Sequence, residues 1–181
     1  MKPISNWDDV VPTSNREALQ PGGYVIKITK ATDDPKKEYL KLVYDIAEGD
    51  QAKRYSDEWG LNPDNDYAHS FYRSYKEKAL GMLKAFLIAV DKTNGTHFEE
   101  QAKKGLKEEQ LVGKLVGIVL SEEEYENNRG EVKVRLAVAS IHTADEIRKG
   151  EFKVPALKKL KGAAAPEVEG FTPLTDTEVP F

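Results

Sequence analysis

Tyr39-Leu40-Lys41-Leu42-Val43-Tyr44-Asp45-Ile46 is the stretch on which the fold turns. Leu40, Leu42, Tyr44 and Ile46 fall on one side of an extended chain and Tyr39, Lys41 and Val43 on the other, the period of a strand with one face in a core. Upstream, Pro21-Gly22-Gly23 breaks the chain and Tyr24-Val25-Ile26-Lys27-Ile28-Thr29-Lys30 repeats the alternation, with Asp33-Asp34-Pro35 as the connecting loop. Downstream, Glu48-Gly49-Asp50 is a turn signal, and Ala52 to Tyr55 is expected to complete a three-strand meander. Ser56 to Phe71 is rich in Asp, Asn, Pro and aromatics, lacks a period, and reads as an irregular insertion.

The period then changes. Ser74-Tyr75-Lys76-Glu77 has capping-box spacing, and Ala79, Met82, Leu83, Phe86, Leu87 and Val90 recur at helical spacing up to Asn94-Gly95, where glycine suits a left-handed cap. The charged stretch from Glu99 to Gln110 fits a second, solvated helix. Lys114 to Leu120 reads as a buried strand, Glu122 to Gly130 as a polar connection, and Val132 to Val138 alternates again, so the two strands form a hairpin. Thr143-Ala144-Asp145-Glu146 has capping-box spacing for a helix of about two turns that ends at Gly150. Gly162-Ala163-Ala164-Ala165-Pro166 is linker composition. The expected organisation is an N-terminal arm over 1–20, a folded domain over 21–150, and a linker with a disordered acidic tail over 151–181, the folded part ending near 150–160.

A chain of 181 residues suffices for one domain with a real core plus a tail. The absence of Cys excludes disulfides, thiolate metal sites and Cys nucleophiles and agrees with a reducing cytoplasm. Met1 to Asp9 has no apolar run of the secretory kind, and no stretch approaches the length of a membrane span, so a soluble cytoplasmic protein is expected. The net charge of −4 is unevenly placed: of 31 acids, Glu167, Glu169, Asp176 and Glu178 lie beyond Lys161, the last base, which leaves 27 acids against 27 bases before them. A neutral body argues against a strongly basic nucleic-acid clamp and leaves room for a local cationic stripe.

Signals for catalysis are weak. Gly113-Lys114 has the ending of a phosphate loop, but the earlier glycine would fall at Glu108, and Leu115 stands where Ser or Thr would hold magnesium. His69, His97 and His142 are isolated, with no pair at metal-ligand spacing, and Glu122-Glu123-Glu124 reads as solvated charge. No enzymatic activity, metal or cofactor is expected.

Strand, strand, strand, helix, strand, strand is the element order of a five-stranded OB-fold-like Greek-key barrel, so a mostly β fold of that kind is expected. Such a barrel binds single strands with aromatic faces on which bases stack and cations that follow the phosphates, set on its second and third strands and in the flanking loops. The candidates are Tyr39 and Lys41 on strand two, Arg54 and Tyr55 on the expected strand three, Arg129 in the hairpin loop, and Lys133 and Arg135 on the last strand. Lys36, Lys37, Lys53 and Tyr125 lie beside them in sequence, while Trp59, Tyr67, Phe71 and Tyr72 with Arg73 are expected to cover a barrel edge, a stacking flap being the alternative.

The last residues, Thr175-Asp176-Thr177-Glu178-Val179-Pro180-Phe181, place acids before an aliphatic, a proline and a phenylalanine. In Asp176, Glu178, Val179, Pro180 and Phe181 this tip resembles the acidic tail of bacterial single-stranded DNA-binding proteins, which implies recruitment of replication or recombination enzymes. Thr175 and Thr177 depart from that pattern and weaken its charge. Tyr44-Asp45-Ile46-Ala47-Glu48-Gly49, Phe71-Tyr72-Arg73-Ser74-Tyr75-Lys76-Glu77-Lys78 and Leu111-Val112-Gly113-Lys114-Leu115-Val116-Gly117 are similar to stretches of single-stranded DNA-binding proteins from the replication and recombination modules of phages that infect Gram-positive bacteria. This resemblance implies a sequence-tolerant binder whose partners are single-stranded DNA and replication or recombination proteins. The alternatives are an adaptor of the same module that does not touch DNA and, more remotely, a metal-dependent nuclease.

Overall fold

The computed structural model describes residues 17–59 and 67–160. Its framework is an antiparallel sheet of five strands, β1 (Gly22–Asp34), β2 (Tyr39–Ile46), β3 (Ser70–Ser74), β4 (Leu115–Glu126) and β5 (Val132–His142), in the order β3-β2-β1-β4-β5. One face carries the main core. Ile26 and Ile28 of β1, Leu42, Tyr44 and Ile46 of β2, Phe71 of β3, and Val116, Ile118 and Leu120 of β4 are buried there, as their alternation requires.

The helix α2 (Leu80–Asn94) lays Phe86, Leu87 and Val90 on that face, each burial contributing about 1.5–3 kcal/mol. It ends at Gly95 with φ 65°, the left-handed cap, while the Asn94 side chain donates to the Leu115 carbonyl at 2.8 Å and accepts the Leu115 N–H at 3.0 Å, tying the helix end to β4. The short α3 (Phe98–Ala102) is capped from a distance by Asp91, whose carboxylate accepts the Phe98 N–H at 2.7 Å and the Glu99 N–H at 2.9 Å. A 3-10 turn over Glu108–Leu111 follows, and Phe98 and Leu111 are buried, so the charged stretch is a short helix and a 3-10 turn held between two apolar anchors instead of one solvated helix.

On the other face, α4 (Ala144–Lys149) forms a smaller core of Ala144 and Ile147 with Val25 and Val119. Thr143 and Glu146 make both hydrogen bonds of the capping box, and Gly150 ends the helix at φ 73°. Gly117 permits this packing, since a Cβ there would stand 2.5 Å from the Thr143 carbonyl oxygen. Arg148 forks onto Glu48 with bonds of 2.6 and 3.0 Å. Phe152 then lies against Gly23, and the chain continues to Lys158, whose N–H donates to the Glu122 carbonyl and whose carbonyl accepts the Glu124 N–H. Packing on the sheet therefore runs to Leu160, whose N–H meets the Glu124 carboxylate at 3.0 Å.

Several expectations are corrected. The barrel is not closed: β3 and β5 are the outer strands of an open sheet. The third strand is Ser70–Ser74, at the end of the supposed insertion, and Arg54 and Tyr55 instead open a helix, α1 (Arg54–Trp59). Asp45 decides this, because its carboxylate accepts the N–H groups of Tyr55 and Ser56 at 3.0 Å each together with the Ser56 hydroxyl, satisfying donors that a helix start leaves bare. Ser74 closes β3 and does not cap α2; its hydroxyl donates to the Glu38 carbonyl and accepts the Lys76 N–H, and a 3-10 turn over Glu77–Ala79 precedes α2. Met82 is 62% exposed and lies outside the buried stripe. The expected polar connection after Leu120 is mostly strand: Glu122, Glu124 and Glu126 stand opposite Leu136, Val134 and Val132, and the turn is only 127–131. No helix among the described residues is long and apolar enough to cross a membrane.

Candidate nucleic-acid interface

Directly opposed residues in an antiparallel sheet share a face, so register alone assembles the surface opposite the main core. Lys41 stands between Thr32 of β1 and Tyr72 of β3; Tyr39 stands between Asp34 and Ser74; Val43 stands between Lys30 and Ser70. Tyr39 and Tyr72 are diagonal neighbours with ring centroids 5.1 Å apart and planes at 88°, an edge-to-face pair. Tyr72 is 50% exposed. The Lys37 ammonium, in the loop before β2, is 5.9 Å from the Tyr39 ring and 3.7 Å from the Asp34 carboxylate. Lys37 and Lys41 thus lie beside the two aromatic rings and Lys30 lies further along the same face, opposite Val43, against the single acid Asp34 among these positions.

A second group lies on the β4–β5 ribbon. Glu123 stands opposite Arg135, and Tyr125 opposite Lys133. Arg135 Nε and Nη2 donate to Glu123 Oε1 at 2.9 and 2.7 Å, and the guanidinium lies 5.0 Å from the Tyr125 ring. Lys158 reaches the other carboxylate oxygen of Glu123 at 3.5 Å, and Lys133 pairs with Glu131 at 3.3 Å. Burial pushes the Glu123 carboxyl upward, but hydrogen bonds and charge from Arg135, with Lys158 behind it, outweigh this and hold it below the ordinary carboxylate value. Arg129 is exposed in the turn, where Asn127 Oδ1 accepts its N–H at 2.9 Å. The consecutive glutamates 122–124 divide between the two ribbon faces, Glu123 on this one and the other two opposite Leu136 and Val134.

The structure therefore brings Tyr39 and Lys41 together on one patch, and Lys133 and Arg135 together on another, with β1 and β4 lying between β2 and β5 in the sheet. It removes Arg54 and Tyr55 from both. Tyr55 is 8% exposed, stacks on His69 at 4.4 Å and meets Tyr44 edge-on, so its ring faces the core and has no surface to offer a base. Arg54 donates to the Glu17 carbonyl at 2.8 Å and to the Gln51 side chain, holding the incoming chain.

Tyr72 joins Tyr39 on the outer patch, where the sequence alone favours edge cover over a stacking flap. The signal that finds it is the pairing of Tyr72 with Lys41, a long-range fact invisible to local periodicity. Its neighbour Arg73 pairs with Leu40 on the core side, with its guanidinium 4.8 Å from the Phe71 ring and its Nη1 on the Tyr72 carbonyl. Burial lowers its pKa from the ordinary arginine value, and it takes no part in the outer patch. Asp176, Glu178, Val179, Pro180 and Phe181 lie outside the described residues. Among the described residues no group of three or more His, Asp or Glu is placed to hold a metal ion. No protein-family model matches the chain, and no curated protein matches it in sequence.

Proposed function

We propose that the protein binds single-stranded DNA without sequence preference, through an OB-like domain acting in the host cytoplasm during phage replication or recombination, and that residues 176–181 recruit partner enzymes. The observation that carries this reading is the outer patch of β2 and β3: two tyrosine rings in edge-to-face contact, one half exposed, with Lys41 opposite Tyr72, Lys37 against the Tyr39 ring and Lys30 further along the same face. A π-face accepts any base, and lysines follow phosphates without reading sequence. The strand order β3-β2-β1-β4-β5 also supports it, since joining β3 to β5 would give the cyclic order of a Greek-key OB barrel, a fold that tolerates partial opening. No catalytic step is assigned to the protein.

Titration of fluorescent oligo-dT at low salt tests the reading. Binding at micromolar protein or below, equal for mixed sequences and weakening as salt rises, is expected, with a site of roughly 4–16 nucleotides per domain. Absence of binding under those conditions would remove the proposal.

A second reading, an adaptor of the replication module that does not touch DNA, is favoured by one feature of the helix side. A groove of about 740 Å³ there is lined by Leu40, Leu80, Leu83, Leu87 and Leu106 together with charges of both signs, Lys84 and Lys103 against Asp33, Glu99 and Glu108. Weak and equal retention on single-stranded and double-stranded DNA columns, lost with modest salt, would select this reading over the first.

A further inference from the structure

Arg73 combines partial burial with an unanswered charge. Its guanidinium lies 4.8 Å from the Phe71 ring, Nη1 donates to the Tyr72 carbonyl at 2.9 Å, and Nε is buried with no acceptor. Among the described residues it forms no ion pair. Asp33, in the same row across the sheet through Leu40, gives its carboxylate to the Tyr75 hydroxyl at 3.0 Å, and burial is the sole cause that lowers the Arg73 pKa. Taking a cation out of water is costly where no carboxylate answers it, and a cation–π contact offsets that cost only in part.

Register sets this charge at an open edge. β3 ends the sheet, with β2 on one side and no described strand on the other. The Tyr75 N–H donates to the Glu38 carbonyl at 3.0 Å, which makes Arg73 and Leu40 a hydrogen-bonded pair and Tyr72 and Lys41 the alternate kind, so the N–H and C=O of Tyr72 point away from β2. Arg73 Nη1 meets that outward carbonyl. The guanidinium therefore lies along the rim of the sheet, beside the backbone of the residue whose ring is half exposed on the outer patch.

We infer that the strand leaves the outer patch over the β3 edge, stacking one base on Tyr72 and setting the adjoining phosphate on the Arg73 guanidinium and the outward Tyr72 N–H. This rests on the strand-binding reading and adds to it a path and a phosphate site. The terminal nitrogens of Arg73 keep donors for two phosphate oxygens, and the phosphate supplies the counter-charge that the fold withholds.

The test is titration of the full chain with oligo-dT from 50 to 300 mM salt, with circular dichroism on each variant. Arg73→Gln removes one phosphate contact, so the plot of log affinity against log salt flattens by about 0.7, a loss of roughly eightfold at 50 mM and about twofold at 300 mM. Arg73→Lys keeps the charge and with it the slope. Lys92→Gln is the control: it removes an equal charge from the last turn of α2, at the end tied to β4, and leaves the slope unchanged. Tyr72→Ala combined with Arg73→Gln loses less than the product of the single losses, because both contacts hold one nucleotide. Arg73 also covers Phe71, so the unaltered chain supplies a readout that does not depend on how Arg73→Gln folds. The buried Arg73 Nε–H, shielded from exchange, gives a proton–nitrogen correlation signal, assigned by its loss in Arg73→Lys, that shifts at saturating oligo-dT. An unchanged slope in Arg73→Gln, an equal change in Lys92→Gln, losses that simply multiply, or an unmoved signal overturns the inference while leaving strand binding intact. Failure of the unaltered chain to bind oligo-dT overturns the strand-binding reading and this inference with it.

Discussion

Tyr72 presents half of its surface to solvent while the Tyr39 ring holds it edge-on, so a base can stack on it without first ordering a mobile side chain. Stacking on an aromatic face is worth about 1–3 kcal/mol per base by alanine substitution. Tyr72→Ala and Tyr39→Ala are therefore expected to weaken oligo-dT binding by roughly five- to 150-fold each, with melting temperatures changed little because neither ring is in the core. Phenylalanine at either position should keep binding, since stacking would use the face and not the hydroxyl. Tyr55 is the counter-case. It is enclosed by Tyr44 and His69, so Tyr55→Ala is expected to cost about 3 kcal/mol of stability by leaving a cavity, visible as an early denaturant midpoint, while Tyr55→Phe leaves DNA affinity unchanged. A loss of binding in a folded Tyr55→Phe variant would return this ring to the interface.

The elements divide by where their determinants lie. The bounds of β2, the caps at Gly95 and Gly150 and the Thr143 box were legible because each is set within a few residues. β3 was not, because of its two inward residues only Phe71 is apolar and the other is Arg73, so no hydrophobic period shows. The supposed strand at Arg54 and Tyr55 failed for the reverse reason: its fate is fixed by a carboxylate ten residues earlier in the chain, on Asp45. Tyr39 and Lys41 could be read from alternation, whereas their meeting with Tyr72 needed the register of β3. Asp91 is another remote cap, and it makes a pH prediction. Burial raises its pKa, but the N–H groups of Glu99 and Phe98, the Thr96 hydroxyl and nearby His97 outweigh this and hold it below the ordinary 3.8. Its contribution is thus fully present above the unfolded value and is lost as pH falls through the lower, folded one. Asp91→Asn should destabilise the protein by about 1–2 kcal/mol at neutral pH, with its unfolding curve converging on that of the unaltered chain in acid. A gap that persists at pH 2 would assign the effect to geometry instead of charge. Gly117→Ala tests the contact of β4 with α4: the new methyl meets the Thr143 carbonyl, which is backbone and cannot rotate away, so a loss of about 1–3 kcal/mol is expected in thermal or urea unfolding.

For the whole molecule, the order of strands and helix could be read along the chain, but closure could not. Closure depends on whether two edges far apart in sequence meet, and β3 and β5 remain the edges of an open sheet. Charge follows a similar division between local and global. The chain balances 27 bases against 27 acids before residue 162, and its excess of −4 comes from Glu167, Glu169, Asp176 and Glu178. A polyanionic strand approaching from solution meets no net attraction from the body and a net repulsion from these four acids, whose reach is set by ionic strength. Screening extends about 30 Å at 10 mM salt and about 8 Å at 150 mM. Replacing the four with Gln or Asn should therefore raise the association rate for oligo-dT several-fold at 10 mM salt and by less than about twofold at 150 mM, leaving dissociation unchanged. Stopped-flow anisotropy with labelled oligonucleotide measures both rates. Repulsion at a distance predicts that the gain disappears on adding salt; a gain in association that survives at 150 mM, where only near contacts escape screening, would mean that the acidic segment competes directly for the lysines around Tyr39 and Tyr72.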